Sequence, residues 1–374
     1  MPSPISTSSL KPGSLSKRYC CKRKLMPNEG LMNTRNGDVA KAIFHMVWCC
    51  PKCHTSLPNN DDWIGCPICN ARYEVIEGIP DFRISTDFWL DIEHDRTLAR
   101  KLAAQFSIAD VEGLVRQVFA SRPEWDDARV ALRTRQVLDA PKRLQKEIDG
   151  WLNLATSDTP FLEIGCGPGM LLAAAASKGR VGIGIDASLV WLVVAKRLIT
   201  RWGGQPVLAA GLADALPLAD HAVHATISLD VIEHVSDQQV FLREVDRVTR
   251  VGGRLALATP NRFSLTAEPH VSVWGVGWLP RPWQAAFVRW RSGKSYTYTR
   301  LLSTWEATRI MRHNTAFNFR ILLPKIPEEE MRRFPAYRRV LARVYNHLSA
   351  FPLLRGLFLA IGPFFRIVGV RAGK

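Results

Sequence analysis

The stretch Phe161-Leu-Glu-Ile-Gly-Cys-Gly-Pro-Gly169 decides the fold of this chain of 374 residues. A short apolar run ends at Ile164. The glycines at positions 165, 167 and 169 then let the backbone turn sharply and come close to a ligand. The N–H groups at the start of the helix that follows would face that ligand. The stretch therefore predicts a strand, a ligand-binding turn and a helix.

Strand and helix patterns alternate around and after this turn. Apolar runs predict strands at 160–164, 181–185, 206–209, 222–229 and 253–258, with helices from Met170, over 188–202 and over 237–249. Such alternation is typical of a parallel sheet with right-handed crossovers. A Trp- and Pro-rich insertion follows at 261–295. A helix at 299–313, a strand at 317–323, further helices packed on the sheet and a last strand at 364–370 complete an α/β fold.

Three carboxylates indicate which ligand the turn binds. Glu163 stands two residues before the first glycine, where an acid would repel a pyrophosphate, and the dinucleotide fingerprint GxGxxG needs a glycine where Met170 stands. Asp186 ends the second strand, where a carboxylate can accept two ribose hydroxyls. Asp214, in Ala213-Asp-Ala-Leu-Pro-Leu218, can accept an adenine amino group. The set fits a nucleoside with a cationic amino-acid tail.

Together these residues resemble class I S-adenosylmethionine-dependent methyltransferases, in particular the methyltransferase type 11 group related to the ubiquinone-biosynthesis enzymes. The matching stretch, about 160 to 260, includes Leu229-Asp-Val-Ile-Glu-His-Val235 and Val251-Gly-Gly-Arg-Leu255. The resemblance implies a Rossmann-like, seven-stranded class I sheet and S-adenosyl-L-methionine as cofactor. The residues that it implies as cofactor contacts are Glu163, Gly165, Gly167, Gly169, Asp186, Asp214 and Leu229. A Rossmann-like core without a cofactor is the competing interpretation.

Eight cysteines occur, and two knuckles among them have metal-ligand spacing: Cys50-Pro-Lys-Cys53 and Cys66-Pro-Ile-Cys69. Four thiolates from two such knuckles form a closed tetrahedral site, which favours structural zinc (Zn) at Cys50, Cys53, Cys66 and Cys69. Cys49 could replace Cys50, and His54 could be a spare ligand. With Tyr73-Glu-Val-Ile-Glu-Gly-Ile-Pro-Asp81 the unit resembles the Trm112-like zinc ribbon, which precedes methyltransferases of several substrate classes.

Two histidines are candidate catalytic bases. His234 directly follows the fourth strand, and imidazole titrates near neutrality; a hydrogen-bonded role at a helix start is the alternative. Asp230, Glu233 and His234 also match an acid-x-x-Glu-His group that binds metal in the ubiquinone-type enzymes. His270 lies in the insertion, whose aromatic and cationic side chains would cover the acceptor or rest on lipid headgroups. A surface loop without a catalytic role is the alternative for His270, and a packed cap without a ligand is the alternative for the insertion.

The pattern predicts four parts: a basic, disordered arm at 1–47, a zinc ribbon at 48–83, a helical connector at 84–150 and a methyltransferase domain at 151–374. In this domain the insertion at 261–295 covers the substrate. Residues 1–47 have eight Lys/Arg and two Asp/Glu, and residues 281–374 have eighteen and four. This excess of cations indicates an anionic partner such as RNA or a phospholipid surface. Cysteine usage favours a reducing, cytoplasmic location. The apolar tail Leu348–Val370 is too interrupted for a spanning helix, and with the insertion it leaves peripheral membrane contact open.

Three functions stay open from the sequence. The first is methyl transfer to a small-molecule, lipid- or glycan-linked acceptor, at oxygen. The second is methylation of RNA, with the zinc ribbon and the basic arm as the RNA-binding parts. The third is a binding protein with the same fold and no catalysis. The intact glycine turn and its three carboxylates favour an enzyme.

Overall fold

The computed structural model describes residues 48–58, 62–85, 90–105, 110–152, 160–332 and 334–373. The predicted arm at 1–47 lies outside these residues, so its disorder stays a prediction.

The cysteine unit (residues 48–83) contains a small antiparallel sheet of three strands: β1 (Trp63–Gly65), β2 (Arg72–Ile76) and β3 (Ile79–Pro80). Three aromatic rings form its interior. The ring centroids of Trp48 and Tyr73 lie 5.5 and 5.1 Å from that of Phe82. These rings belong to the same buried cluster as Ile164 and Ile185 of the large sheet. The cysteine unit and the large sheet therefore share one core.

Three helices connect this unit to the large sheet: α1 (Ile92–Ala103), α2 (Val111–Ala120) and α3 (Asp127–Leu152). The sequence around Pro141 predicts an amphipathic helix from Pro141 to Leu154, whereas the observed helix α3 begins already at Asp127. A proline inside a helix removes one hydrogen bond and costs about 3 kcal/mol. Ala140 and Pro141 are buried, and the packing of that face against the core offsets the loss.

A seven-stranded sheet forms the centre of the molecule, in the order β6-β5-β4-β7-β8-β10-β9. Its strands are β4 (Phe161–Ile164), β5 (Gly182–Asp186), β6 (Val207–Ala210), β7 (Val223–Leu229), β8 (Thr249–Pro260), β9 (Phe317–Leu322) and β10 (Phe364–Arg371). The first five are parallel, whereas β10 is antiparallel to both neighbours. This arrangement is the class I methyltransferase sheet, so the predicted fold class is confirmed.

Helices connect these strands along the chain. They are α4 (Met170–Ala176), α5 (Leu189–Arg201), α6 (Gln238–Val248), α7 (Arg281–Ser292), α8 (Thr304–Asn314), α9 (Glu328–Met331), α10 (Ala336–Leu348) and α11 (Pro352–Ile361). The chain order reverses on the two sides of β4, because β5 and β7 are both its neighbours. In open α/β sheets the crevice beyond the strand ends at this point binds the ligand.

The last helix differs from the sequence expectation. We expected it to pack against the sheet, but α11 has no buried residue and Leu353 is 97% exposed. The expectation is therefore wrong for α11. In the described part of the chain no helix combines the length and the apolar character needed to cross a membrane.

A buried ion-pair network ties the end of the cysteine unit to the large sheet. The Arg83 guanidinium donates to Asp81 and to Asp95, over 2.6 Å each, and to the carbonyl oxygen of Ala187. Burial opposes ionisation of Asp81, but its contacts with Arg83 and Arg96 lower the pKa of this carboxyl. Asp95 also accepts, over 2.8 Å, the N–H of Leu189, the first residue of α5.

We expect Arg83→Met to lower the free energy of unfolding by about 3 kcal/mol, because it removes the guanidinium that joins two buried carboxylates, Asp81 and Asp95. Urea unfolding of the full chain measures this loss. The matched control is Arg100→Met: Arg100 pairs with Glu74 but its side chain is half exposed, so its loss should stay below about 1 kcal/mol. Equal losses in the two variants would contradict a structural role for the network.

Candidate active site

The glycine turn lies at the carboxyl end of β4, and two of its glycines are required by close packing. All three have positive φ, +72° at Gly165, +49° at Gly167 and +71° at Gly169. A Cβ at Gly165 would lie 2.2 Å from a methyl group of Val231, and one at Gly169 would lie 2.8 Å from Cβ of Ala195. At Gly167 a Cβ would meet nothing within 4 Å. The turn therefore borders open space at its central glycine.

Asp186 holds this turn against the end of β5. Its carboxylate accepts the N–H of Gly167 over 2.7 Å and the N–H of Ser188 over 2.8 Å. The carbonyl oxygen of Asp186 accepts the N–H of Gly211, over 3.0 Å, where the chain leaves β6. One residue thus joins the ends of β4, β5 and β6 at the crevice.

Glu163 is a buried acid directly below the turn. Burial, and then the charge of Asp186, raise the pKa of its carboxyl well above the ordinary value. Its Oε2 has no hydrogen-bond partner within the described ranges. A buried carboxyl oxygen without a partner is costly, and a cationic ligand group beside it would remove that cost.

The other two predicted cofactor contacts lie at the same end of the sheet. Leu229 ends β7 and follows Ser228, which is paired with Ile164 of β4. Asp214 lies three residues beyond Gly211, and its carboxylate accepts the hydroxyl of Ser236 over 2.6 Å. The structure thus brings the predicted residues to one crevice; their contacts with a cofactor stay a prediction.

A Glu–His pair lies on the insertion over the crevice. One carboxylate oxygen of Glu268 is 2.5 Å from Nδ1 of His270, and the other accepts the N–H groups of His270 and Val271, each over 2.9 Å. Glu268 is buried, whereas the His270 side chain is 25% exposed. Burial opposes protonation, but the Glu268 carboxylate outweighs it and raises the pKa of His270.

His234 faces this pair from the turn after β7. The two imidazole rings are perpendicular, with centroids 4.6 Å apart. Burial, and then the charge of His270, lower the pKa of His234 to about 4, so it is neutral at physiological pH. Burial and then the charge of Asp230 raise the pKa of Glu233 to about 7.

Ligand atoms of Glu233, His234 and His270 lie within 4.8 Å of one another and could hold a metal ion. Asp230, the first acid of the acid-x-x-Glu-His pattern, does not belong to this group. It is exposed and adopts φ +54°. Only two of the three residues of the acid-x-x-Glu-His pattern, Glu233 and His234, therefore belong to the candidate metal site. His270 of the insertion supplies the third ligand atom.

The four predicted cysteines converge at the tip of the cysteine unit. Their Sγ atoms lie within 4.8 Å of one another, with 3.5 Å between Cys50 and Cys69 and 3.4 Å between Cys53 and Cys66. Tetrahedral zinc at about 2.3 Å from each sulfur requires sulfur–sulfur distances of about 3.8 Å, so the donor set fits this metal. Cys49 and His54, the alternatives, lie outside the group.

Sequence reasoning gave no role to two residues that shape the site. Glu268 was visible in Glu268-Pro-His270, but only the fold of the insertion turns its carboxylate back onto the imidazole. Asp95 carries no local signal for its contact with the start of α5, because Ser188 and Leu189 lie over 90 residues further along the chain.

The comparisons with known proteins agree with this geometry. Residues 162–257 match the family model Methyltransf_11, a methyltransferase domain. The ubiquinone biosynthesis O-methyltransferase of Parvibaculum lavamentivorans is 32% identical over 130 residues, which are 33% of this chain and 50% of that protein. The corresponding protein of Brucella anthropi is 33% identical over 127 residues, 32% of this chain and 50% of its own. This chain thus spans about half the length of these relatives.

Among solved structures, phosphoethanolamine N-methyltransferase 2 of Haemonchus contortus with S-adenosyl-L-methionine matches with a TM-score of 0.44 and 16% identity, over 69% of this chain and 60% of that chain. The strand order of the sheet, the glycine turn and the match over 162–257 agree with one another. The chain therefore carries a class I S-adenosylmethionine-dependent methyltransferase domain.

Proposed function

We propose that this protein transfers a methyl group from S-adenosylmethionine to an oxygen atom of a small-molecule, lipid- or glycan-linked acceptor. The observation that carries the proposal is Glu163, a buried carboxyl without a partner on Oε2, beside a glycine turn that opens onto free space. The two features together suit a ligand with a cationic amino-acid tail. A dinucleotide would instead place its pyrophosphate beside the glycine turn, where the Glu163 carboxylate would repel it.

In this proposal Glu163 faces the ammonium group of the donor, Asp186 accepts the ribose hydroxyls and Asp214 accepts the adenine amino group. When bound, the donor supplies a methyl group on a positively charged sulfur. The protein then has two tasks: to align the acceptor with that methyl group and to remove the acceptor proton.

The Glu268–His270 pair is suited to removing the proton. Glu268 fixes the imidazole through Nδ1, so Nε2 of His270 is the atom that can take the proton of an acceptor hydroxyl. A general base works best when its pKa is near the working pH, and the raised pKa of His270 suits this better than the pKa of about 4 of His234. His234 then lines the acceptor site as a neutral group.

The cysteine unit would hold a structural zinc ion in the same proposal, since four cysteine ligands leave no open position for chemistry. Its likeness to the Trm112-like ribbon supports a place beside a methyltransferase domain and does not select an acceptor.

Asp186→Ala should weaken S-adenosylmethionine binding by about 100-fold, because two hydrogen bonds to a charged group contribute about 1.5 kcal/mol or more each. Isothermal titration calorimetry on the full chain measures the affinity. The control is Asp110→Ala, since Asp110 also accepts a backbone N–H at a helix start but lies outside the crevice. Unchanged affinity of the Asp186 variant would refute the ribose assignment.

A further inference from the structure

Helix α10 exposes a regular apolar stripe. Tyr337, Val340, Leu341 and Val344 follow the three- and four-residue spacing of one helix face, and their exposed fractions run from 46% to 63%. Ala342, outside the stripe, is buried. Tyr345 lies one turn after Leu341, at the flank of the stripe, and its ring contacts that of Phe358 in α11 with centroids 5.5 Å apart. The stripe therefore faces away from the protein.

Helix α11 extends the exposed surface. Leu353 is 97% exposed and Leu357 is 52% exposed. We call these two leucines and the four residues of the α10 stripe the apolar patch. Monomeric soluble proteins rarely expose so many large apolar side chains on two neighbouring helices.

Two tryptophans of the insertion lie beside this patch. The carbonyl oxygen at the end of α11, on Ile361, accepts the N–H of Leu265 over 3.1 Å. The indole of Trp274 donates to the carbonyl oxygen of Leu265, and that of Trp278 donates to the preceding carbonyl. Both indoles are about half exposed or more. Exposed tryptophans at the border of an apolar surface are typical of the interface between membrane and water.

The charge around the patch is predominantly positive. Residues 331–374 contain nine Lys/Arg and no Asp/Glu, and the insertion at 261–295 contains five Lys/Arg and one acid, Glu268, which is buried and pairs with His270. Three acids precede α10 at 328–330, and one of them, Glu328, is paired with Arg343 over 2.6 Å. Cationic segments next to an apolar surface are attracted to anionic lipid headgroups. The arm at 1–47 is itself basic, so it does not complement this surface.

We propose that the apolar patch and its flanking tryptophans dock this protein onto an anionic phospholipid bilayer. RNA would also be attracted by the charge, but it offers no apolar layer for Leu353, Leu357 and Leu341. A bilayer accepts the aliphatic side chains below the headgroups and pairs the arginines at headgroup level.

Docking in this orientation has a consequence for the reaction, and this consequence rests on the proposed function. The short segment from Leu265 to Trp274 carries both an indole of the surface and the Glu268–His270 pair. A docked protein would hold its acceptor site at the bilayer surface, where an acceptor with a lipid anchor is found.

Flotation of the full chain with vesicles tests the docking, in the absence of donor and acceptor. We expect binding to vesicles with one quarter phosphatidylglycerol and little binding to pure phosphatidylcholine. Replacing Leu353 and Leu357 by Asp should weaken vesicle binding at least tenfold. The matched control is Leu132→Asp, because Leu132 of α3 is 57% exposed and lies outside the patch.

Two results would overturn the proposal: no binding of the unaltered chain to anionic vesicles, or equal binding by the double variant. Tight binding to a homopolymeric RNA, lost in the double variant while vesicles are not bound, would assign the surface to RNA instead. Donor affinity by calorimetry should be the same in all variants, which verifies folding. Because the flotation uses neither donor nor acceptor, its failure leaves the proposed methyl transfer standing.

Discussion

A Cys50→Ser variant should lose its zinc and, with it, the folded cysteine unit. Cys50 is fully buried and lies 3.5 Å from Cys69, sulfur to sulfur. Structural zinc contributes about 10–16 kcal/mol to the folding of small zinc-binding units, so its loss should unfold the two knuckles even though the aromatic rings of the unit pack in the shared core. Zinc content by mass spectrometry should fall from one ion per chain to none, and limited proteolysis should cut within residues 48–83.

Cys49→Ser is the control for this experiment. Cys49 is adjacent and equally buried, but its sulfur does not belong to the group of four. This variant should keep its zinc and its resistance to proteolysis. Zinc retained by the Cys50 variant and lost by the Cys49 variant would assign the metal to the other cysteine.

Replacing His270 by Gln should lower kcat/KM by about 10²- to 10⁴-fold, the usual contribution of a general base. Labelled S-adenosylmethionine and a hydroxylated acceptor found by screening would measure the rate.

The Glu268→Gln variant gives a second test, in which the pH profile of the activity should shift in a defined direction. The base acts when deprotonated, so activity rises with pH through the pKa of His270. Glu268 raises this pKa, and its removal should move the acidic limb of the profile to lower pH.

The control is His313→Gln, an exposed histidine on α8 outside the crevice, which should leave the rate unchanged. An unmoved acidic limb in the Glu268 variant would exclude His270 as the titrating base. Loss of activity with a chelator while zinc in the cysteine unit is retained would indicate a cation held by Glu233, His234 and His270.

The parts of the fold that follow local patterns could be predicted from the sequence. The strand before the glycine turn ends at Ile164 as expected, and Ser188 caps α5 where the predicted helix starts. The four cysteine ligands converge because their spacing alone determines the two knuckles. Each of these features depends on residues that are close in sequence.

Features that depend on distant partners could not be predicted. The local sequence around Pro141 indicates a helix start. Burial of this residue against the core instead keeps α3 continuous through it. Asp95 stabilises the start of α5 although the two are over 90 residues apart. The approach of His270 to His234 depends on how the insertion folds back. In each case the deciding contact is tertiary.

The way the cysteine unit meets the large sheet limits how the chain can be divided. Strand β6 is an edge strand of the large sheet. Its outer edge pairs with the cysteine unit: Asp81 forms a β-bridge with Ala210, and the N–H of Phe82 donates to the carbonyl oxygen of Ala210 over 2.8 Å. The backbone N–H of Cys49 donates to the carbonyl oxygen of Pro217, in the segment that follows β6. A fragment beginning at residue 151 would expose these backbone groups, and bare strand edges recruit other chains. Truncation at that boundary would thus produce a self-associating protein instead of a minimal enzyme.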